Sequence, residues 1–164
     1  MISYCSYFDI KVFVRKHCQK LGIPVVMEAS DRGLLDIERF DLDRNYPIMH
    51  GKVKREFLLV DEFTPEQKKQ LPFMFVDPIK ASERGLLSFK EIGKTITTWP
   101  QLASDVLLGG SVVCMTSRMI LLKQNVNSKR IYVDIPSIVN PKDNKFPLMR
   151  KLKLLYECFK KVKA

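Results

Sequence analysis

The sequence contains no glycine-rich phosphate loop: neither G-x-G-x-x-G nor G-x-x-x-x-G-K-[ST] occurs, and glycine accounts for only seven of 164 residues. Parallel α/β folds hold phosphates on backbone amides freed by such loops, so a self-contained nucleotide enzyme of either kind is excluded. Cysteine pairs at C-x-x-C spacing are also missing. Cys5, Cys18, Cys114 and Cys158 lie far apart, which excludes the common zinc and thioredoxin-like sites and implies free thiols in a reducing compartment, the cytoplasm. The opening Met1-Ile2-Ser3-Tyr4-Cys5 lacks a basic region ahead of an apolar stretch, and no uninterrupted run of about 18 apolar residues follows, so neither secretion nor membrane spanning is expected. The two histidines, His17 and His50, have no Ser or Cys nearby at a suggestive spacing. A free-standing hydrolase is therefore not expected, and no metal site is predicted.

What remains is the composition of one globular domain, 46% apolar and 28% charged. A chain of this length buries roughly 68–70% of its extended surface and needs no staple to fold. The net charge of +10 is uneven, because Lys142 to Ala164 carries eight basic and two acidic residues. Aromatic and basic residues do not interleave as in a nucleic-acid module, so specific nucleic-acid binding is not expected.

Ser6-Tyr7-Phe8-Asp9 has capping-box spacing ahead of a helix whose apolar positions Phe8, Val12 and Phe13 recur at helical intervals and which Gly22 closes. The following Ile23-Pro24-Val25-Val26-Met27 is continuous and rich in β-branched residues, the pattern of a strand buried on both faces of a parallel sheet. Next comes Ser30-Asp31-Arg32-Gly33, a turn at the carboxyl end of that strand, where open α/β sheets place ligands.

The run from Ser30 to Asp43, continued by Arg44-Asn45-Tyr46-Pro47-Ile48-Met49-His50-Gly51, resembles the ThiF-type branch (ThiF, MoeB, HesA) of the ubiquitin-activating-like adenylating enzymes. Thr98-Trp99-Pro100-Gln101-Leu102 through Gly110 carries the same resemblance, which extends from about residue 1 to residue 135 and covers only the second half of the family's domain. It implies a partial Rossmann-like α/β domain over residues 1–140, with a parallel or mixed sheet flanked by helices. It also implies ATP- and magnesium-dependent adenylation of a protein or peptide carboxylate, typically the C-terminus of a small ubiquitin-like sulfur carrier. The family's nucleotide loop belongs to the half not covered, so ATP and magnesium are expected only if the missing half completes the site; the partners expected are a chain carrying that half, or a second copy in a homodimer. No cofactor is predicted for the isolated chain, and no intact catalytic residue is assigned.

Within the covered half, the family aspartate that helps hold magnesium corresponds to Ser6, whose neutral hydroxyl is a poor ligand for a hard cation. Asp9 either substitutes for it or serves as the capping-box acid. Lys11 matches a basic residue of the first helical turn and is either a remnant of the nucleotide site or a solvated lysine. Asp31 and Arg32 are the candidate acceptor-binding pair; the competing reading is an ion pair that orders the turn. Asp36 joins them as a possible substrate contact, although Asp36, Glu38 and Arg39 also suit the exposed face of a strand.

Farther along, Thr64-Pro65-Glu66-Gln67 predicts a helix ending before Pro72, Ser88 to Glu91 a brief helix, and Thr98 the start of a long buried helix reaching about Lys123. In that helix the Gly109-Gly110 pair reads as a close packing point, and Trp99 as either a core anchor or a binding platform. Arg130 to Ile135 predicts a strand. Leu148, Leu152, Leu155, Phe159 and Val162 define a basic amphipathic helix within residues 141–164, which could dock on this domain's core, on a partner chain or on an anionic membrane.

Overall fold

A computed structural model describes residues 8–142 and 146–163. Helix α1 runs over Phe8–Leu21 and is followed by β1, Val25–Ala29. A short 3-10 turn, Asp31–Gly33, leads directly into β2, Leu34–Glu38. Helices α2 (Arg55–Leu58), α3 (Pro65–Phe75), α4 (Glu83–Glu91) and α5 (Ala103–Leu121) come next, then strand β3 (Lys129–Tyr132) and helices α6 (Ile135–Val139) and α7 (Leu148–Lys163). The chain is thus a mixed α/β domain with helices on both faces of a sheet.

The sheet has the order β1-β2-β3, and both pairings are antiparallel, with Met27 opposite Asp36 and Asp36 opposite Arg130. This departs from the parallel arrangement expected for β1. The reason is the connection: parallel neighbours need a crossover of a dozen or more residues, and the turn from Ser30 to Gly33 can only fold the chain back on itself. As an edge strand, β1 is half-buried along its whole length and not enclosed on both faces. Gly33 is required at the turn, since it adopts φ +55° and a Cβ there would lie 2.6 Å from the carbonyl oxygen of Val133.

Side chains alternate across the sheet. Leu35 and Ile37 face α5, where Val112, Val113, Met119 and Ile120 pack with Val126. On the opposite side Val25 and Met27 join a core built from Val12 of α1, Phe40, Met49, Phe57, Leu71 and Phe75. Leu34, Asp36 and Glu38 of β2 point to that same side and all are buried. The expected exposed face of Asp36, Glu38 and Arg39 is therefore overturned: the two carboxylates are fully buried and Arg39 is 7% exposed. Each has a specific partner. Glu38 pairs with the buried Arg15 of α1 and accepts a 2.6 Å hydrogen bond from the Met49 amide. Arg39 forks onto Asp41 at 2.8 and 2.7 Å.

The capping box at Thr64 forms, but α3 continues through Pro72 to Phe75. Burial of Leu71, Met74 and Phe75 offsets the backbone hydrogen bond lost at the proline. Helix α5 starts at Ala103, not at Thr98, and its outer face is open, with Leu107 72% and Leu121 81% exposed. By length and composition alone this helix is long and apolar enough to cross a membrane; here it lies along β1 and β2. The C-terminal helix docks on the domain itself: Leu154 and Cys158 of α7 are buried with Ala81, Leu86 and Phe89.

Because Arg15 and Glu38 are both removed from water, each is stable only with the other. Arg15→Met or Glu38→Gln is expected to cost about 3–5 kcal/mol in urea unfolding. The double replacement Arg15→Met with Glu38→Leu is expected to cost less than either single change.

Candidate functional site

The Ser30-Asp31-Arg32-Gly33 turn sits at the carboxyl end of β1 between two concavities. On one side a cleft of about 730 Å³ is lined by Arg32, Arg84, Asp105, Asp134, Ser137 and Lys151, among others. On the other a pocket of about 400 Å³ is lined by aromatic side chains together with Lys11, Glu28 and Asp31. Ser30 borders both.

Asp31 and Arg32 are adjacent in sequence but are used in opposite directions. Asp31, 7% exposed, accepts a 3.0 Å hydrogen bond from the Ser82 amide and another from the Ser82 hydroxyl. Ser82 in turn caps α4 through the Gly85 amide at 2.9 Å. Gly85 packs closely beside it: a Cβ there would lie 3.0 Å from the Asp31 carboxyl group. Asp31 therefore ties the turn to the start of α4, and its oxygens are occupied. The ion pair with Arg32 that the sequence allowed is not formed.

Arg32 has left-handed backbone angles, φ 59° and ψ 24°, uncommon for a non-glycine residue and evidence of a turn held by its surroundings. Its Nε donates to Asp134 at 2.6 Å and Nη1 to the Lys80 carbonyl at 2.7 Å, while the guanidinium stacks 5.2 Å from the Tyr132 ring centre. A third of the side chain stays exposed in the cleft. Burial raises the Asp134 carboxyl, but hydrogen bonds from Ser137 and Arg32 outweigh it and hold the group below the usual carboxylate range. Lys151 is pushed down by burial and by the neighbouring Arg32 charge. The cleft thus joins two basic groups that face solvent, Arg84 and Arg32, to a partly desolvated lysine; all three suit a carboxylate or phosphate. Arg84 is paired with Asp105 at 3.0 Å.

Asp36 does not line either concavity. It accepts from Arg130 Nε at 2.6 Å and from His50 Nε2 at 2.8 Å, and His50 Nδ1 meets the Tyr46 hydroxyl at 2.8 Å. Burial would raise this carboxyl, but the Arg130 and His50 hydrogen bonds prevail and hold it below the usual range. The acceptor-binding role expected of Asp36 is therefore replaced by a structural one: it joins β2 to β3 and to the Met49-His50-Gly51 segment, whose three φ values are all positive.

Lys11 does line the smaller pocket, with its ammonium 5.3 Å from the Phe8 ring centre and 5.6 Å from that of Phe75. Burial and the Arg15 charge lower its pKa. Asp9 pairs with Lys68 at 3.4 Å. Ser6, the other position assigned to a nucleotide remnant, lies outside the described residues. Among the described residues no three His, Cys, Asp or Glu side chains gather in a group that could hold a metal ion. Sequence reasoning missed Glu28, Ser82, Asp134 and Lys151, which reach the turn from separate elements; Gly109 carried the one available signal, for Glu28.

The arrangement fixes an acid limit on stability. Asp36 binds its proton less readily when folded than when unfolded, so its contribution is present above the ordinary carboxylate pKa of about 4 and is lost as pH falls below it. Wild-type protein is expected to lose stability steeply on that limb. Asp36→Asn is expected to be less stable at neutral pH and to show a shallower acid limb, as measured by denaturant unfolding across pH 2 to 7.

Comparison with known proteins adds one relative. The chain is 34% identical over 150 residues, 87% of its length, to an uncharacterized protein of Mycobacterium tuberculosis. It spans about one fifth of that protein, 20% of its length. No family model matches the chain. No solved structure matches it either.

Proposed function

We propose that this chain is the acceptor-facing part of an ATP- and magnesium-dependent adenylating enzyme that activates a protein or peptide C-terminal carboxylate, with the nucleotide half supplied by other polypeptide. The observation that carries this reading is an α/β layer with open sides. Among the described residues, strand β1 leaves one edge of the sheet unpaired, and α5 exposes Val106, Leu107, Met115 and Leu121 beside it. A half-domain bringing parallel strands to the β1 edge would turn this antiparallel sheet into a mixed, Rossmann-like one and cover apolar surface. The resemblance of residues 30–51 and 98–110 to ThiF-type enzymes supplies the chemistry. The fivefold greater length of the mycobacterial relative is consistent with such a unit working inside a larger protein.

In this reading the Arg32 side of the turn receives the acceptor tail. The cleft presents Arg32, Arg84 and Lys151 to a carboxylate or to peptide carbonyls, and holding that tail still is the main contribution such a surface can make to attack on an α-phosphate. Asp31 acts indirectly, by anchoring the turn to Ser82. The acceptor in this reading is a small ubiquitin-like carrier or a peptide, met in the cytoplasm.

Two measurements test the reading. Calorimetry of the isolated chain with magnesium and ATP is expected to show no saturable binding; tight binding would mean that the phosphate site is already here. In a reconstituted enzyme, Arg32→Ala is expected to raise the KM for the acceptor about tenfold, the loss of one charge-assisted contact, with ATP–pyrophosphate exchange as the readout. An unchanged KM would leave a non-catalytic binding module as the better account.

A further inference from the structure

The smaller pocket takes its walls from two separate apolar clusters. Phe8 and Phe75 belong to the core around α1, while Phe73, Phe89 and Trp99 belong to the cluster beneath α7. The cavity they border, about 400 Å³, falls in the range of small-molecule sites. Its rings brace one another. Phe8 meets Phe75 at 5.3 Å between ring centres, Phe73 meets Phe89 edge-on at 4.9 Å, and Phe159 of α7 stacks on Phe73 at 5.3 Å. Walls held in this way need little further ordering when a ligand enters.

One cation borders this cavity without a counter-charge. Lys11 of α1 is half-buried, and among the described residues its ammonium has only the ring faces of Phe8 and Phe75 as partners, at 5.3 and 5.6 Å. A ring face attracts a cation but does not take up the three hydrogen bonds that an ammonium donates. Neither carboxylate on the lining pairs with it. Asp31 is occupied by the Ser82 amide and hydroxyl, and Glu28 packs against Gly109, on the α5 side of β1. Burial and the Arg15 charge push the Lys11 pKa down, and Glu28 offsets only part of that. A ligand that brought one negative charge to this ammonium would reverse the trend.

We propose that this pocket binds an aromatic monocarboxylate, its ring against the Phe and Trp walls and its carboxylate on Lys11. One negative charge matches the single lysine, and a planar ring matches walls that favour offset or edge-on aromatic contacts. A nucleotide suits the pocket less well, because its phosphates bring more negative charge than one ammonium neutralises, beside the carboxylate of Asp31. The site stands apart from the adenylation reading, since binding requires neither ATP nor a second half-domain.

Trp99 is the single tryptophan and borders the pocket, so its fluorescence reports occupancy. Titration of the full chain with hydrocinnamic acid is expected to give a saturable change. Hydrocinnamyl alcohol, which keeps the ring and lacks the charge, is expected to bind about tenfold more weakly, the loss of one charge-assisted contact. Cyclohexanepropionic acid, which keeps the charge on a saturated ring, is expected to bind about fivefold more weakly, the loss of one aromatic pair. Lys11→Met should bind hydrocinnamic acid as weakly as wild type binds the alcohol, with its affinity for the alcohol unchanged, which separates a lost charge from a lost fold. Lys11→Arg should retain the preference for the acid. The proposal is overturned if hydrocinnamic acid gives no saturable signal, if wild type binds the alcohol or the saturated acid as tightly, if Lys11→Met keeps the preference for the acid, or if AMP binds more tightly than hydrocinnamic acid.

Discussion

The structure depends on a layer of buried charge between β2 and α1. Strand β2 is covered on both sides, yet two of its five residues are carboxylates. Glu38 is matched by Arg15 and the Met49 amide; Asp36 is matched by Arg130 and His50. Taking such groups out of water is tolerable only when every oxygen finds a donor. The partners come from α1, from the loop after β2 and from β3, so satisfying two side chains fixes the relative placement of three parts of the chain. The left-handed Met49-His50-Gly51 segment is a consequence: it costs backbone strain, of order 1–3 kcal/mol per non-glycine residue, and it delivers an amide and an imidazole to the two acids.

With β2 held in this way, the turn that precedes it is held too. Asp31 and Arg32 leave the backbone in opposite directions, one to the cap of α4 and the other to Asp134 on the far side of β3. The turn becomes a rigid partition between a mixed-charge cleft and an aromatic pocket. Each concavity takes its walls from helices far away in sequence, which is why the chemistry gathered there differs so much across a few ångströms. The cleft offers basic groups that are partly paired and partly free to face solvent. The pocket offers aromatic walls with a single partly desolvated lysine, Lys11, at its border.

Surface composition adds a constraint of a different kind. An open sheet edge beside an exposed apolar helix is an association surface, and it lies on the same strand whose carboxyl end carries the turn. Anything that extends the sheet at β1 would therefore also shape the mouth of the aromatic pocket.

Local signals determined a good part of this protein. Helix α1 and its glycine stop, the Thr64 capping box and the amphipathic α7 were all legible, because caps and apolar periodicity act over a few residues; β3 was legible as a strand but ends at Tyr132, and Ile135, expected in it, opens α6. Of the Gly109-Gly110 pair, read as a close packing point, only Gly109 is one, against Glu28, while Gly110 faces open space. Strand direction was not legible, since an apolar β-branched run reads the same in either orientation and only the short turn after β1 decided it. The fate of Asp36, Glu38 and Arg39 was closed as well: alternating charge looks like a wet face until Arg15, His50 and Arg130 arrive from elsewhere to neutralise it. The same holds for the candidate site. The sequence determined that Asp31 and Arg32 lie in a turn at the end of a strand and that Lys11 lies in the first helix. Only tertiary structure decided that Asp31 is spent on Ser82, that Arg32 and Lys11 face different concavities, and that Glu28 packs against Gly109 of α5, because those facts depend on long-range packing, which carries no local pattern.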